Sequence, residues 1–396
     1  MNSTLLNTEI QNFINANIGK DISTLALQKN KFPNANWIEI VNQIQSKSKS
    51  KSKLPNWFRT EKIIYPNKIS IEQTSSEETA NYKSNLIIGD NLIDLTGGFG
   101  VDDYYFSKKI KTVIHCEINV ALSQIVKHNF SVLGIQNISC YSEDGHDVLK
   151  KLEQKFSWIY IDPSRRDDLK GKVFMLKDCL PNVPENLDFY FNYSDNILIK
   201  TAPILDIKAG LCELKFVKTI HIVALDNEVK EILWELSNNY IGSILIQTVN
   251  IVKENISNFE FYLDHNSDKA NYGLPQKYLY EPNSAIMKSG GFDIVSTKFN
   301  IAKLHQHSHL YTSNKIIVFP GRVFEIENVF EYNKPNMKQF LENQNANITT
   351  RNFSESVETI RKKWKIKDGG NLYCFFTTDL NNLKTVLICK KIVAIN

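Results

Sequence analysis

The sequence predicts an α/β chain with a doubly wound, mostly parallel sheet at its centre, a helical segment before it and small α+β modules after it. Three observations predict this. Short apolar runs alternate with helical stretches from about residue 77 to about residue 275. A glycine-rich turn follows the first run, and acidic residues stand at the ends of the first three.

The elements follow in order. Residues 92–95 (Leu-Ile-Asp-Leu) form the first strand, and Thr96-Gly97-Gly98-Phe99-Gly100 turns into a helix through Tyr104, Tyr105 and Phe106. Residues 112–116 are the second strand, 121–133 an amphipathic helix, and 138–141 the third strand. Trp158-Ile159-Tyr160-Ile161 is the fourth, ending at Asp162-Pro163; the fifth, sixth and seventh are expected at 196–199, 216–225 and 244–249. Upstream, Leu5, Leu6, Ile10, Phe13 and Ile14 recur at helical spacing, as do Trp37, Ile40, Val41 and Ile44. The Ser/Lys alternation of 46–53 reads as a solvated linker, with a phosphate-contacting arm as the alternative. Downstream, a helix is expected from 280–287 with Pro282 near its first turn, then a strand at 315–319 and a Pro320-Gly321 turn. A helix at 357–364 and strands at 372–376 and 386–389 complete the chain.

A length of 396 residues exceeds what one core usually organises, so two to four domains are expected. With 42% hydrophobic and 23% charged residues, the chain has material for a sizeable core, which excludes wholesale disorder. The formal charge of +4 permits a polyanionic partner without requiring one. Six cysteines with no CxxC pair read as reduced thiols of a cytoplasmic protein. No basic segment followed by an apolar stretch opens the chain, and no apolar run approaches the roughly 20 residues that span a bilayer. A cytoplasmic location without membrane contact is the expectation. His305, His307 and His309 alternate, which places them on one face of a strand; with no acid or cysteine nearby, no metal is expected there.

Ligands of open α/β sheets bind beyond the carboxyl ends of the strands, where Gly97, Gly98 and Gly100 stand. Glycine there admits positive φ and close backbone approach. Asp94 closes the first strand; Glu117 closes the second, placed to accept hydrogen bonds from ribose hydroxyls; Asp144 follows the third, where a carboxylate meets an adenine amino group. Taken singly, each acid also reads as a helix cap or a solvated side chain. Together they resemble class I S-adenosylmethionine (SAM)-dependent methyltransferases over residues 80–250. The resemblance implies a Rossmann-like, seven-stranded sheet with SAM as cofactor, held by Asp94, Thr96, Gly97, Gly98, Gly100, Glu117 and Asp144. A nicotinamide dinucleotide is the rival ligand and prefers a different glycine spacing.

At the end of the fourth strand, Asp162-Pro163-Ser164-Arg165 occupies the place of the motif that amino-methylating members set beside the donor. There the acid and a proline-held carbonyl orient the target amine, and alignment supplies most of the rate. Here Ser164 and Arg165 replace the second proline and the aromatic residue. Arg165 and Arg166 are candidates to clamp a phosphate of a polynucleotide substrate, or to pair with Asp167 and Asp168. A second arrangement, Lys83, Asp162, Lys200 and Glu228, resembles the Lys-Asp-Lys-Glu tetrad of ribose 2′-O-methyltransferases. In that resemblance the neighbours depress a lysine pKa so that it can deprotonate or steer the hydroxyl. The catalytic candidates are therefore Asp162, Pro163, Ser164 and Lys200, with base nitrogen and ribose oxygen both open as acceptors. C5 methylation is disfavoured, because neither 162–168 nor 200–203 holds a cysteine, and Cys116 reads as core.

Segments 94–102, 162–166, 200–203 and 227–234 together resemble one bacterial methyltransferase group whose catalytic domain precedes a ferredoxin-like module and a THUMP-like domain. Residues 280–324 are similar to the former and 349–370 to the latter. The implied plan is a helical region 1–76, a methyltransferase domain 77–275, a ferredoxin-like module 276–325 and a THUMP-like domain 326–396. THUMP domains carry RNA to modifying domains, so the resemblance implies an RNA substrate, tRNA foremost. Arg361, Lys362 and Lys363, followed by Trp364, Lys365 and Lys367, fit a phosphate-tracking surface or a solvated helix face. A non-catalytic RNA-binding protein on a retained methyltransferase fold is the alternative from another class.

Overall fold

The computed structural model describes residues 3–165, 175–263 and 269–392. They fall into two compact units, Met1–Lys218 with Glu231–Gly242, and Thr219–Lys230 with Ser243–Asn396.

The first unit opens with helices Thr8–Ala16, Ile22–Ala26 and Trp37–Lys53, whose apolar faces join in a core of Leu5, Ile10, Ile14, Leu25, Ile40, Val41, Ile44 and Ile64. The Ser/Lys alternation is no linker; it is the second half of the helix Trp37–Lys53. Helical periodicity brings Ser46 and Ser50 to one face, where both are buried. Their hydroxyls donate to Pro66 O and Lys47 O, each at 2.8 Å, and Lys47 Nζ donates to Asn15 Oδ1 at 2.7 Å. Lys51 and Lys53 fall in the last turn, where cations suit the helix dipole.

Five parallel strands follow: β1 (Asn91–Asp94), β2 (Thr112–Cys116), β3 (Ile138–Tyr141), β4 (Trp158–Ile161) and β5 (Asn196–Thr201), in the order β3-β2-β1-β4-β5. β1 and β4 are buried along almost their whole length, hence their apolar runs. The chain continues through β6 (Val217–Leu225), and Asp226 and Asn227 then take φ of 50° and 63°, the paired positive values of a two-residue hairpin turn. The strand that follows, β7 (Glu228–Ser237), runs antiparallel to β5. This strand is absent from the expected set, which placed the seventh at 244–249. Polar residues at 228, 230 and 231 hide it, because only its second half is an apolar run.

In the second unit β8 (Leu245–Val252) lies parallel to β6, and β9 (Asn255–Tyr262) antiparallel to β8. The run expected as the seventh strand is thus β8. A separate seven-stranded sheet contains β10 (Tyr278–Pro282), β11 (Tyr311–Ser313), β12 (Gly321–Glu331), β13 (Asn347–Arg351), β14 (Leu372–Thr378) and β15 (Lys384–Ile392), with Ala302–Lys303 at one edge. The helix expected to open near residue 280 begins at Ser284: Pro282 still pairs with Gly321, and Asn283 caps the helix by accepting Ile286 N at 3.0 Å. Residues 315–319 form no strand. The three histidines lie on a turn rather than a strand face; His309 has φ 53° and stacks on Phe292 at 3.5 Å, while His305 meets Asn352 and Asn382. Among the described residues no helix is long and apolar enough to cross a membrane, and no group of three or more His, Cys, Asp or Glu is placed to hold a metal ion.

Candidate active site

The turn after β1 is shaped from beneath. Asp94 is buried, and its Oδ1 accepts the Thr96 amide at 2.7 Å and the Thr96 hydroxyl at 3.1 Å. Burial, with Asp103 nearby, pushes its pKa well above the usual carboxylate range. Asp94 therefore holds the turn from beneath. Gly97 N donates to Cys116 O at 2.8 Å, docking the turn on β2. Gly98 has φ 54°, and a Cβ there would meet nothing nearer than Thr96 O at 3.7 Å. Gly100 has φ 75° and packs so closely that a Cβ would lie 2.6 Å from Phe130 Cζ, so it seats the following helix.

Two acids rim this turn. Glu117, half-buried past β2, accepts Gly98 N at 3.0 Å on Oε2 and Asn119 N at 2.7 Å on Oε1. Asp144 is exposed and caps the helix Gly145–Leu152 through His146 N at 2.8 Å. That helix sits hard against the end of β1, since a Cβ on Gly145 would come 2.7 Å from Leu95 Cα.

Beyond β4, the Asp162 amide donates to Thr96 Oγ1 at 2.7 Å, which ties the end of β4 to the glycine turn. The Asp162 carboxylate pairs with Lys200 Nζ from β5; Asp162 is 36% exposed and Lys200 11%. Pro163 is buried and Ser164 exposed, in a two-residue strand Ser164–Arg165 paired with Cys179–Leu180. Arg166 lies outside the described residues.

Behind this pair runs a buried charge network. Lys83 Nζ, fully buried, donates to both Glu231 oxygens at 2.8 Å and to Ser75 Oγ at 3.0 Å, and stands 3.2 Å from Asp102 Oδ1. Asp102 Oδ2 accepts the Tyr160 hydroxyl at 2.8 Å and the Ser75 hydroxyl at 2.9 Å. Burial opposes the charge on Asp102, but Lys83 and Lys200 prevail and hold its pKa below the usual value. For Glu231 burial prevails and its pKa is raised. Burial also works against the Lys200 ammonium, yet Asp162, Asp102 and Glu231 outweigh it and lift its pKa above that of a free lysine. The network thus keeps Lys200 charged, the reverse of the depressed lysine implied by the 2′-O-methyltransferase resemblance.

Lys83, Asp162 and Lys200 are brought together, but Glu228 is not. It is 74% exposed and pairs with Lys230. Glu231 takes the fourth place because side chains alternate along β7, so residues three apart face opposite ways. Asp102, Tyr160 and Ser75 were not among the expected residues, although Asp102 follows the glycine turn by two positions. In the second unit, Arg361 bonds Asp368 at 2.5 Å and Ala346 O at 3.1 Å, and Lys363 pairs with Glu355 at 3.2 Å; Lys362 is exposed. Two of these three cations thus have protein partners.

A glycine turn after β1, an acid past β2, and a reversed β7 beside β5 define a class I methyltransferase fold. The chain carries that fold with ferredoxin-like and THUMP-like domains in its C-terminal part: residues 278–320 match the family model of a ferredoxin-like domain and residues 321–391 that of a THUMP domain-like family. Over 99% of its length it is similar to a protein from Porphyromonas gingivalis W83 provisionally designated a methyltransferase, at 28% identity, covering 99% of that chain with a TM-score of 0.87. An rRNA methylase from Streptococcus thermophilus aligns with 41% of this chain and 94% of its own at 14% identity and a TM-score of 0.30. TrmK from M. capricolum, solved with S-adenosylhomocysteine, aligns with 41% of this chain and 68% of its own at 17% identity and a TM-score of 0.32. No curated protein sequence matches the chain.

Proposed function

We propose that the chain is a SAM-dependent methyltransferase acting on RNA, and that it methylates a ribose hydroxyl in preference to a base nitrogen. One observation carries the reading: Thr96 Oγ1 joins the glycine turn to the Asp162–Lys200 pair, so donor and acceptor positions share a single hydroxyl. The residues around the turn fit SAM. A Cβ at Gly98 would make only one ordinary contact, with Thr96 O at 3.7 Å, and each Glu117 oxygen keeps a lone pair for a ribose hydroxyl after taking one backbone N–H. Asp144 is exposed beside the turn, ready to accept from an amino group. SAM supplies a methyl group on a positively charged sulfur, which needs no further activation.

The protein's part is to align the acceptor and manage its charge. An amine acceptor gains positive charge as it attacks, which a neighbouring ammonium opposes. A hydroxyl gains negative charge as its proton leaves, which the same ammonium stabilises. Lys200, kept charged by three carboxylates, favours the hydroxyl. Asp162, with Oδ2 held by Lys200, keeps Oδ1 to accept the hydroxyl's hydrogen bond and then its proton, as the methyl group leaves sulfur for the oxygen. An RNA substrate is supported by the THUMP-like domain, and tRNA is the first RNA to test.

Calorimetry checks the donor: SAM is expected to bind the wild type, and Glu117→Ala to weaken it about tenfold or more by removing the ribose acceptor. No heat at near-millimolar SAM would exclude the enzyme reading and favour a non-catalytic RNA-binding protein. Nucleoside mass spectrometry of RNA from a strain lacking the gene checks the acceptor. A missing 2′-O-methyl nucleoside is expected, and a missing base-methylated one would move the acceptor to nitrogen.

A further inference from the structure

Beneath the glycine turn lies a buried pair for which the methyl-transfer reading above has no use. His115 on β2 and Asp103, in the first turn of the helix Val101–Phe106, are both fully buried, with His115 Nδ1 2.6 Å from Asp103 Oδ2. His115 Nε2 has no hydrogen-bond partner among the described residues, while Asp103 also meets the Asp94 side chain. Burial lowers the pKa of the histidine and raises that of the acid well above the usual carboxylate range. The imidazole fills the space a side chain at 97 would need: a Cβ on Gly97 would lie 2.1 Å from His115 Nδ1 and 2.2 Å from Cε1. Gly97, unlike Gly98 and Gly100, has no positive φ, so its glycine character is set by contact with His115 and not by backbone conformation. The same turn hangs from β2 at the next residue, through Gly97 N to Cys116 O.

We infer that His115, fixed by Asp103, is a positioning residue for the methyl donor: its ring is the floor on which the Gly97–Gly98 backbone rests, and it sets the height at which that backbone meets SAM. The helix carrying Asp103 presents the neighbouring Asp102 to Lys83 and Tyr160. Two adjacent side chains therefore brace the donor turn on one side and the acceptor network on the other. The inference rests on the donor reading proposed above.

The test is a suppressor experiment, read by SAM calorimetry, SAM and RNA KM values, and thermal unfolding. Gly97→Ala alone is expected to weaken SAM binding about a hundredfold, because a methyl driven into the imidazole displaces the turn. His115→Ala is expected to raise the Kd and KM for SAM about tenfold and leave the RNA KM unchanged, a split that general loosening of the fold would not produce. His115→Asn, whose amide can replace Nδ1 in the bond to Asp103, should stay within about threefold of wild type. The Gly97→Ala/His115→Ala pair, in which the added methyl finds the space the ring has vacated, should bind SAM at least about tenfold better than Gly97→Ala. If Gly97→Ala does not fold, a folded, SAM-binding double variant supports the inference equally. A double variant no better than the single, or His115→Ala with wild-type SAM affinity, overturns it while leaving the donor reading intact. A wild type that fails to bind SAM overturns both.

Discussion

Lys200→Met is expected to reduce the rate of methyl transfer by about a hundredfold to a thousandfold while leaving SAM affinity within about threefold, since the ammonium acts on the acceptor and not on the donor. Methionine keeps the length of the stem, so the lost element is the charge. Lys200→Arg restores a cation of different shape and should recover part of the rate, but not all, because a guanidinium cannot place a point charge where the ammonium stood. The pH dependence separates two roles for this lysine. A lysine acting as general base must lose its proton near the working pH, and kcat would then rise through neutrality. Here burial lowers the Lys200 pKa, but Asp162, Asp102 and Glu231 raise it further than burial lowers it. A raised lysine stays charged until the pH climbs past the folded value, so no ionisation of Lys200 should appear in kcat between about pH 6 and 9. Single-turnover transfer to in vitro transcribed RNA gives the measurement. A Lys200→Met enzyme at wild-type rate would remove the lysine from the chemistry.

How much of this site was legible in the sequence depends on how each residue announces itself. β1, β2 and β4 are read at once because strands buried on both faces are unbroken apolar runs, and the glycine turn follows the first of them. Glu117, Asp144 and Asp162 are legible because strand ends are where an α/β sheet binds ligands. Lys83 and Lys200 are visible as residues, but the state of Lys200 is not, since its charge depends on three carboxylates that arrive from 38, 98 and 31 positions away in the chain. β7 was missed because its first half carries Glu228, Lys230 and Glu231, a pattern that reads as surface until Glu231 is seen to be paired. The same blindness turned the buried Ser46 and Ser50 into a supposed linker. Polar side chains with buried partners look like solvated ones in a sequence, and only the fold supplies the partner. His115 gave no signal at all: a lone histidine inside an apolar strand reads as core, and its bearing on Gly97 is a matter of ångströms.

Lys83→Met is expected to be the most destabilising single change in the catalytic network, at about 3–5 kcal/mol, because it strips the counter-charge from groups that stay buried. Lys83 has no exposed surface, Glu231 is 2% exposed and the Asp102 side chain 12%. Methionine fills most of the volume, so the cost is electrostatic rather than a cavity. The sign of the pH dependence follows from the two acids. Asp102 is held below its usual pKa partly by Lys83, a stabilisation present above the unfolded carboxylate pKa and lost as the pH falls through the folded one. Glu231 is already raised by burial, and loss of Lys83 must raise it further, so it takes up a proton more readily as the pH drops. Both effects make the gap between variant and wild type largest at neutral pH and smaller towards about pH 4 to 5. Urea unfolding at several pH values reads this directly, and a gap that widens on acidification would contradict the account. Removing the acid as well should relieve the defect: Lys83→Met/Glu231→Gln leaves a neutral amide where an unpaired carboxylate stood, and should regain a large part of the lost stability. Its rate of methyl transfer should still lie below wild type, because Glu231 is one of the three carboxylates that hold Lys200 charged. The fall should be smaller than for Lys200→Met, since Asp162, which touches Lys200, and Asp102 both remain.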